Sequence, residues 1–484
     1  MTTITLQGSD RRLEVAAGTH LRDALSGEGV EFPCGGQGRC GGCRVRVVTG
    51  TMAENSEDRA TFSAAELRDG WRLACRHAAE ADATLELAQW EMAVLGDAEA
   101  FAFVPREGFG IAVDLGTTTL AAQLLDLRSG QVLATRTALN DQARHGADVL
   151  SRASYALAGG ATELTGLIRS QIGAMITELA AGRALSRIVV AGNTAMHHLF
   201  GGLDITPLAT HPFLPEHPEA LRFTGAVLGW PVDVPVDVLP CIGGLVGGDV
   251  LAGVRATGLK DRRGLNALVD LGTNGEVVVA KNGRMLCTST AAGPAFEGAR
   301  IHHGMRAATG AIDAVAADGT CHVIGGGPAR GLCGSGLVDA VAAGLDNGRI
   351  APSGRMADDW MLADGVALTP HDVRELQLAK GAIAAGLKLL TAKFDATPAD
   401  LDALYLAGAF GNAISRTAAA RIGLIKAPAE HIVAAGNTAL KGAKRALFAD
   451  SIHFEAVADC IGFIALAEDG EFVDMFASEM AFPG

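Results

Sequence analysis

The chain has 484 residues, 49% of them apolar, and a formal charge of −14 at neutral pH. That length predicts two to four domains with sizeable cores, and the acidic balance argues against nucleic acid, whose phosphates need a basic surface. No run of about 18 apolar residues could span a membrane, and Met1–Leu6 lacks the charged-then-apolar order of a signal peptide; a cytoplasmic protein is expected, its nine cysteines acting as ligands, buried thiols or redox groups rather than disulfides.

At the N-terminus, Ile4 and Leu6, then Leu13 and Val15, alternate with polar residues around a Gly-Ser-Asp turn. This predicts a hairpin of Thr3–Gln7 and Arg12–Ala16. Thr19 is expected to cap a short helix over Leu21–Leu25. Cys34, Cys40 and Cys43 then crowd into ten residues with five glycines, and Cys75 stands alone further on. Three thiolates in so pliant a loop suit an inorganic core, because glycine tolerates φ > 0 and brings N–H groups close to cluster sulfides. Cys75 closes the cage. A four-cysteine zinc site is the competing reading, but two C-x2-C pairs are expected there and only Cys40–Cys43 is present. The first gap holds five residues, and the pattern resembles the adrenodoxin-like branch of [2Fe–2S] ferredoxins. A strand at Thr84–Ala88 would complete a β-grasp sheet and a first domain, 1–90.

Residues 91–108 show no periodicity, contain Pro105 and read as a linker. Directly after them Ile111-Ala112-Val113-Asp114-Leu115-Gly116-Thr117-Thr118-Thr119 finds a near copy in Ala267-Leu268-Val269-Asp270-Leu271-Gly272-Thr273-Asn274-Gly275-Glu276. Each is an apolar strand ending in Asp, a glycine turn and a second strand. Such a hairpin offers backbone N–H groups to phosphate oxygens while the Asp holds a hydrated Mg²⁺. The echo continues downstream. Ile188–Thr194 matches Leu404–Gly411, and Val238–Gly244 with its following helix matches Ile432–Thr438 and its helix. Three landmarks in one order predict two similar α/β lobes, 109–260 and 261–484, with a nucleotide in the cleft.

This order resembles the acetate and sugar kinase, Hsp70 and actin superfamily, whose lobes are RNase H-like. The resemblance implies Mg-ATP held by Gly116, Thr117 and Thr118 and by Gly272, Thr273 and Asn274. The glycine-rich turn carrying Gly408, Ala409 and Gly411 would take the adenosine. Segments Gly244–Val254 and Gly436–Leu447 would be the paired connecting helices. Asp114 and Asp270 are the catalytic candidates, one coordinating the metal through water and the other assisting the attacking water; either assignment fits.

Taken together, the two halves resemble the reductive activators of corrinoid proteins over essentially the whole chain. The matching segments are Phe32–Cys43, Asp114–Thr119, Gly192–His198, Asp270–Glu276, Ala291–Gly298, Gly331–Gly336 and Leu406–Asn412. The implied cofactors are a [2Fe–2S] cluster on Cys34, Cys40, Cys43 and Cys75, and Mg-ATP. The implied reaction is ATP-dependent transfer of one electron to Co(II) cobalamin in a corrinoid protein or methyltransferase, methionine synthase among them, restoring Co(I). An external flavoprotein or ferredoxin would refill the cluster. A ferredoxin cluster lies near about −400 mV, Co(II) in a corrinoid protein is generally harder to reduce, and every ~59 mV of mismatch costs tenfold in a one-electron equilibrium; hence ATP. Longer family members carry a linker and a further domain between the two parts, whereas here only residues 91–108 intervene. A small-molecule kinase with a regulatory cluster and a chaperone-like cofactor-loading ATPase are the rival functions.

Other residues are read conservatively. His197 and His198 are expected to open a helix by packing and capping, with contact to a partner as the alternative, and His302 and His303 likewise. Cys333, Cys241, Cys287, Cys321 and Cys460 are expected in cores. Glu297 fits either a structural turn or a water-orienting role. Arg374–Phe394 should be a helix with one core-facing stripe.

Overall fold

A computed structural model describes the whole chain except residues 8–10, 26–27, 29, 31–37, 39–42, 88–100, 147, 273 and 450–451, and only the backbone at Ala65, Ala409, Ile452 and His453. Cys34, Cys40 and Thr273 therefore lie outside the described residues. Two compact units emerge. One gathers Met1–Glu91, Thr117–Leu120 and Ala138–Gln171, and the rest forms the other.

The N-terminal part builds a sheet in the order β2-β1-β7-β4-β5 from β1 (Thr2–Leu6), β2 (Arg12–Val15), β4 (Arg44–Thr49), β5 (Trp71–Leu73) and β7 (Ala83–Leu87). β1 runs antiparallel to β2 and parallel to β7, the β-grasp arrangement. The expected alternation holds in β1, whose Ile4 and Leu6 face a core with Leu21, Val45, Leu73 and Leu85. The Thr19 cap does not form. Thr19 and His20 make β3, paired with β6 (Ala78–Ala79), and the Thr19 hydroxyl donates to Ala16 O at 2.7 Å. Helix α1 (Leu21–Ala24) starts after His20 without a side-chain cap. Helices α2 (Ser56–Thr61) and α3 (Ala64–Arg68) follow. Asn55 and Asp58 form a capping box on α2, and buried Asp58 also accepts from Leu73 N–H at 2.9 Å, pinning β5.

Each lobe repeats one sheet. In the first, β8 (Phe109–Leu115), β9 (Thr119–Asp126), β10 (Val132–Leu139), β11 (Leu185–Gly192), β12 (Leu221–Thr224) and β13 (Pro235–Val238) order as β10-β9-β8-β11-β13-β12. In the second, β14 (Leu265–Leu271), β15 (Gly275–Lys281) and β16 (Arg284–Thr290) lie beside later strands. After β17 (Ala311–Val315), β18 (Cys321–Val323), β19 (Gly331–Leu332), β20 (Trp360–Ala363) and β21 (Val366–Leu368) in small sheets come β22 (Ala403–Ala407), β23 (Ile432–Gly436) and β24 (Ile461–Phe463), giving β23-β22-β14-β15-β16-β24. Without the edge strands β12 and β24, both lobes have the RNase H-like order 3-2-1-4-5. The register agrees as well. Asp114 sits beside Ala191 and Asp270 beside Ala407, the same position in each lobe.

The helices, in chain order, are α4 (Val149–Tyr155), α5 (Ala161–Ala180), α6 (Thr194–Gly201), α7 (Thr206–Ala209), α8 (Gly248–Thr257), α9 (Gly334–Asp346), α10 (Pro370–Ala392), α11 (Gly408–Ala413), α12 (Arg416–Arg421), α13 (Thr438–Ala446), α14 (Ile452–Ala458) and α15 (Phe472–Met480). The expected connecting helices are α8 and α13, packed on each other within a core that draws on both sheets, including Ala112, Val189, Leu251, Leu268 and Leu440. A Cβ on Gly442 would lie 2.2 Å from Ala252 O, so only glycine permits this crossing. Arg187 of β11 donates to Ala446 O and Ala449 O at the end of α13, and Arg445 to Arg255 O near the end of α8. These guanidinium groups satisfy carbonyls left open at helix ends.

Two expectations change here. The long helix starts at Pro370 behind a Thr369–Asp372 capping box, four residues before Arg374. It buries more than a stripe, since Lys380, Ala382, Leu389 and Thr391 are enclosed besides Leu376, Ile383 and Leu387; α15 packs along it. The linker's described end also docks, with Phe101 and Phe103 each against Phe448 at 5.5 and 4.5 Å between ring centres. No described helix is long and apolar enough to cross a membrane.

Candidate nucleotide and cluster sites

The two hairpins bring their acidic ends together with carboxylates that the sequence reading passes over. Asp114 and Asp270 are the penultimate residues of β8 and β14, Asp249 lies in the first turn of α8, and Glu276, second in β15, stands directly across the ladder from Asp270. Like charges in a facing cross-strand pair destabilise a sheet, which disfavours ionising Asp270 and Glu276 together. Each side chain keeps a partly open face, yet loss of water dominates its titration. Burial pushes Asp114 up to about 7, opposed by a hydrogen bond from Asn437 and reinforced by the Asp270 charge. Asp249 rises to about 7 through burial and then the Asp270 charge, and Asp270 to about 6 through burial. Glu276 stands well above the ordinary carboxyl range through burial and the charges of Asp249 and Asp270. A cluster of several raised carboxyl groups is a candidate functional site.

Asn437 holds the arrangement at one corner. Its Nδ2 donates to Asp114 Oδ2 at 2.8 Å, while its Oδ1 accepts from Leu440 N–H at 2.8 Å and caps α13. Gly408, at φ +84°, borders the site on the other side, because a Cβ there would meet Asp270 Oδ1 at 2.9 Å. The expected glycine turn is instead the first turn of α11, which contains Gly408 and Gly411. Gly272 N–H donates to Asn274 O at 3.1 Å and closes the second hairpin. In the first hairpin, Thr117 and Thr118 are held by the segment after β10: Thr118 O accepts from Asn140 N–H at 2.9 Å, and Thr117 O from the Arg152 guanidinium.

At the N-terminal site, Cys43 and Cys75 are 1% and 8% exposed, and Ala74 N–H donates to Cys43 O at 2.9 Å, tying the two cysteine segments together. Gly38, at φ +74°, leaves room for Arg76, whose Cδ would lie 2.9 Å from a Cβ there. Among the described residues no three His, Cys, Asp or Glu converge as a metal-binding group; the other two cysteines of the expected set fall outside them.

The remaining candidates resolve plainly. His197 and His198 are fully buried in α6. His197 Nε2 meets Glu219 O at 3.1 Å, His198 Nδ1 meets Thr194 O at 2.8 Å, and burial drives His197 down to about 4. They are packing residues, and the cap is Asn193, accepting from Met196 N–H at 2.9 Å. His303 pairs with the Ala367 backbone, and His302 N–H with Asp372. Cys241, Cys287 and Cys333 are buried as expected. Cys321 is only half-buried and Cys460 is exposed, 3.6 Å from Lys260 Nζ, because it follows α14 at the surface. Glu297 ends a 3₁₀ turn closed by left-handed Gly298.

Residues 109–262 match the family described as the RACo middle region, residues 265–484 the C-terminal domain of RACo, the ASKHA domain, and residues 4–80 the 2Fe-2S iron-sulfur cluster binding domain. The corrinoid activation enzyme RamQ of Eubacterium limosum is 32% identical over 418 residues, 77% of this chain and 70% of RamQ. The chain belongs to the reductive activators of corrinoid proteins. This activator is also 28% identical, over 69% of its length and 68% of the relative's, to the [Co(II) methylated amine-specific corrinoid protein] reductase of Methanosarcina barkeri. A solved reductive activator for corrinoid, iron-sulfur protein superposes with a TM-score of 0.70 at 27% identity, covering 100% of the activator and 98% of that chain. The activator's cofactors are accordingly a [2Fe–2S] cluster in the N-terminal domain and a nucleotide in the ASKHA part. The buried, backbone-tied thiols of Cys43 and Cys75 and the clustered carboxylates fit both.

Proposed function

We propose that this activator delivers one electron to the Co(II) corrinoid of a partner protein, restoring Co(I), and that Mg-ATP bound at the carboxylate site drives the transfer. The observation that carries this reading is the meeting of Asp114, Asp249, Asp270 and Glu276 at equivalent ends of two duplicated sheets, in a chain that also ties Cys43 to the Cys75 segment. A [2Fe–2S] cluster supplies a one-electron reductant near about −400 mV. Cys34, Cys40, Cys43 and Cys75 would hold it. Gly116, Thr117 and Thr118 with Gly272, Thr273 and Asn274 would receive the phosphates, and Gly408, Ala409 and Gly411 the adenosine. Asp114 and Asp270 would hold the hydrated magnesium and orient water, since Mg²⁺ usually keeps several waters and is bound through one or two carboxylates plus the phosphates. The working parts are 1–90, the linker 91–108, and lobes 109–260 and 261–484. Corrinoid proteins and cobalamin-dependent methyltransferases, methionine synthase among them, are the candidate partners, and a flavoprotein or ferredoxin the candidate donor.

The test is anaerobic. Reduced, reconstituted protein is mixed with a Co(II) corrinoid protein, and the Co(II) and Co(I) spectra are followed with and without Mg-ATP. Co(I) should accumulate with Mg-ATP and fall at least tenfold in Asp114→Asn and Asp270→Asn; removal of one preorganised hydrogen-bond donor at a transition-state site costs roughly 10²–10³. Equal reduction without nucleotide overturns the reading. ATP turnover with a small molecule and no corrinoid partner would point instead to a kinase.

A further inference from the structure

Arg152 is among the most deeply buried large side chains of the chain, 1% exposed, although it is an arginine on the short helix α4. Burying a guanidinium costs several kcal/mol unless its donors are satisfied, and here they have defined acceptors. Nε donates to Gly146 O at 2.9 Å, Nη1 to Gln142 Oε1 at 3.1 Å, and Nη2 to Thr117 O at 2.5 Å. The surroundings are built around that side chain. Gln142, fully buried, is steered by its own bond from Nε2 to Leu164 O at 2.8 Å. Gly146 must lack a Cβ, which would fall 2.2 Å from Ser151 Oγ, the residue that completes the capping box of α4 with Asp148.

We propose that Arg152 is the positioning residue of the first phosphate loop, turning the Thr117–Thr118 peptide so that its N–H is offered to nucleotide phosphate and setting a cation behind it. The inference rests on the reading that Thr117 and Thr118 receive phosphate. The peptide is trans and planar, so its C=O and N–H point in opposite directions. Fixing Thr117 O on the guanidinium therefore fixes where Thr118 N–H points. The neighbouring peptide is held from the same segment, by Asn140 N–H on Thr118 O, so the loop cannot rock to compensate. The guanidinium does not itself touch substrate; it acts through the peptide, and its charge favours an anion on the far face.

The full-length reconstituted protein is titrated with Mg-ATP by calorimetry, where stoichiometry reports the folded fraction and the dissociation constant reports the loop. Arg152→Gln should raise the dissociation constant about tenfold or more, the scale of one charge-assisted hydrogen bond. Arg152→Lys, which keeps the charge but not the fork, should lie between, and Gln142→Met should weaken binding through the misplaced guanidinium. Reduced stoichiometry with an unchanged constant in whichever of the three variants fold means a purely structural arginine and overturns the inference. Absence of Mg-ATP binding in the wild-type protein is a different result, and brings down the nucleotide reading together with this one.

Discussion

Asp249 shows at the scale of one residue what the site asks of the fold. Burial raises its carboxyl, like those of Asp114 and Asp270, from 3.8, so between about pH 4 and pH 6 each holds in the folded chain a proton that it has released in the unfolded one. The sign follows directly. The folded state binds more protons than the unfolded state between about pH 4 and pH 7, so this contribution to stability is complete below the unfolded value and disappears as pH rises through 6 to 7. Without nucleotide, the melting temperature should fall from about pH 5.5 to about pH 7.5, and the increment given by Mg-ATP should grow over the same range, because the metal needs ionised carboxylates. Scanning calorimetry at both pH values checks this. Asp249→Asn should raise the nucleotide-free melting temperature at about pH 7.5 by roughly 2–4 °C, the shift of about 1 kcal/mol in a large domain, while Mg-ATP binding weakens. A site residue whose removal stabilises the fold is being retained for its chemistry.

Helices α8 and α13 set the prediction at the scale of elements. Gly442 meets Ala252 backbone to backbone, so Gly442→Val should cost about 2–3 kcal/mol by overpacking. Gly166→Ala, within α5 and with nothing within 4 Å of its added carbon, should gain up to about 1 kcal/mol from helix propensity; urea denaturation measures both. Elements also show what was legible in the sequence. The duplicated strands could be read because apolar runs and Asp-Leu-Gly turns are local. Helix α10 was legible in existence but not in extent, since Thr369 and Asp372 form a cap whose reciprocal bonds only the fold displays. The triplet Gly-Asn-Thr occurs at 192–194 and 436–438, and both asparagines cap helices. Yet one follows the fourth strand of its lobe and the other the fifth, so identical local chemistry serves different places. Glu276 was visible only as the residue after Gly275; its role comes from facing Asp270 across the ladder. A single signal could have found it, an acidic residue opening an otherwise apolar strand.

The whole molecule joins two chemistries whose independence can be measured. Cys75→Ser should abolish visible-region absorbance after anaerobic reconstitution while Mg-ATP still binds, as calorimetry on the same sample would show, because Cys75 belongs to the N-terminal core and the carboxylates lie in the other compact unit. One residue gives the lobes themselves a means of communication. The oxygen of Asn437 is engaged by the first turn of α13 in the second lobe, and its amide hydrogens by Asp114 in the first. A cation that took up Asp114 Oδ2 would remove one of these two attachments and leave the other intact. Arrival of the ligand would then be registered as an exchange of handholds at the root of α13, whose cap from Asn437 Oδ1 does not depend on Asp114.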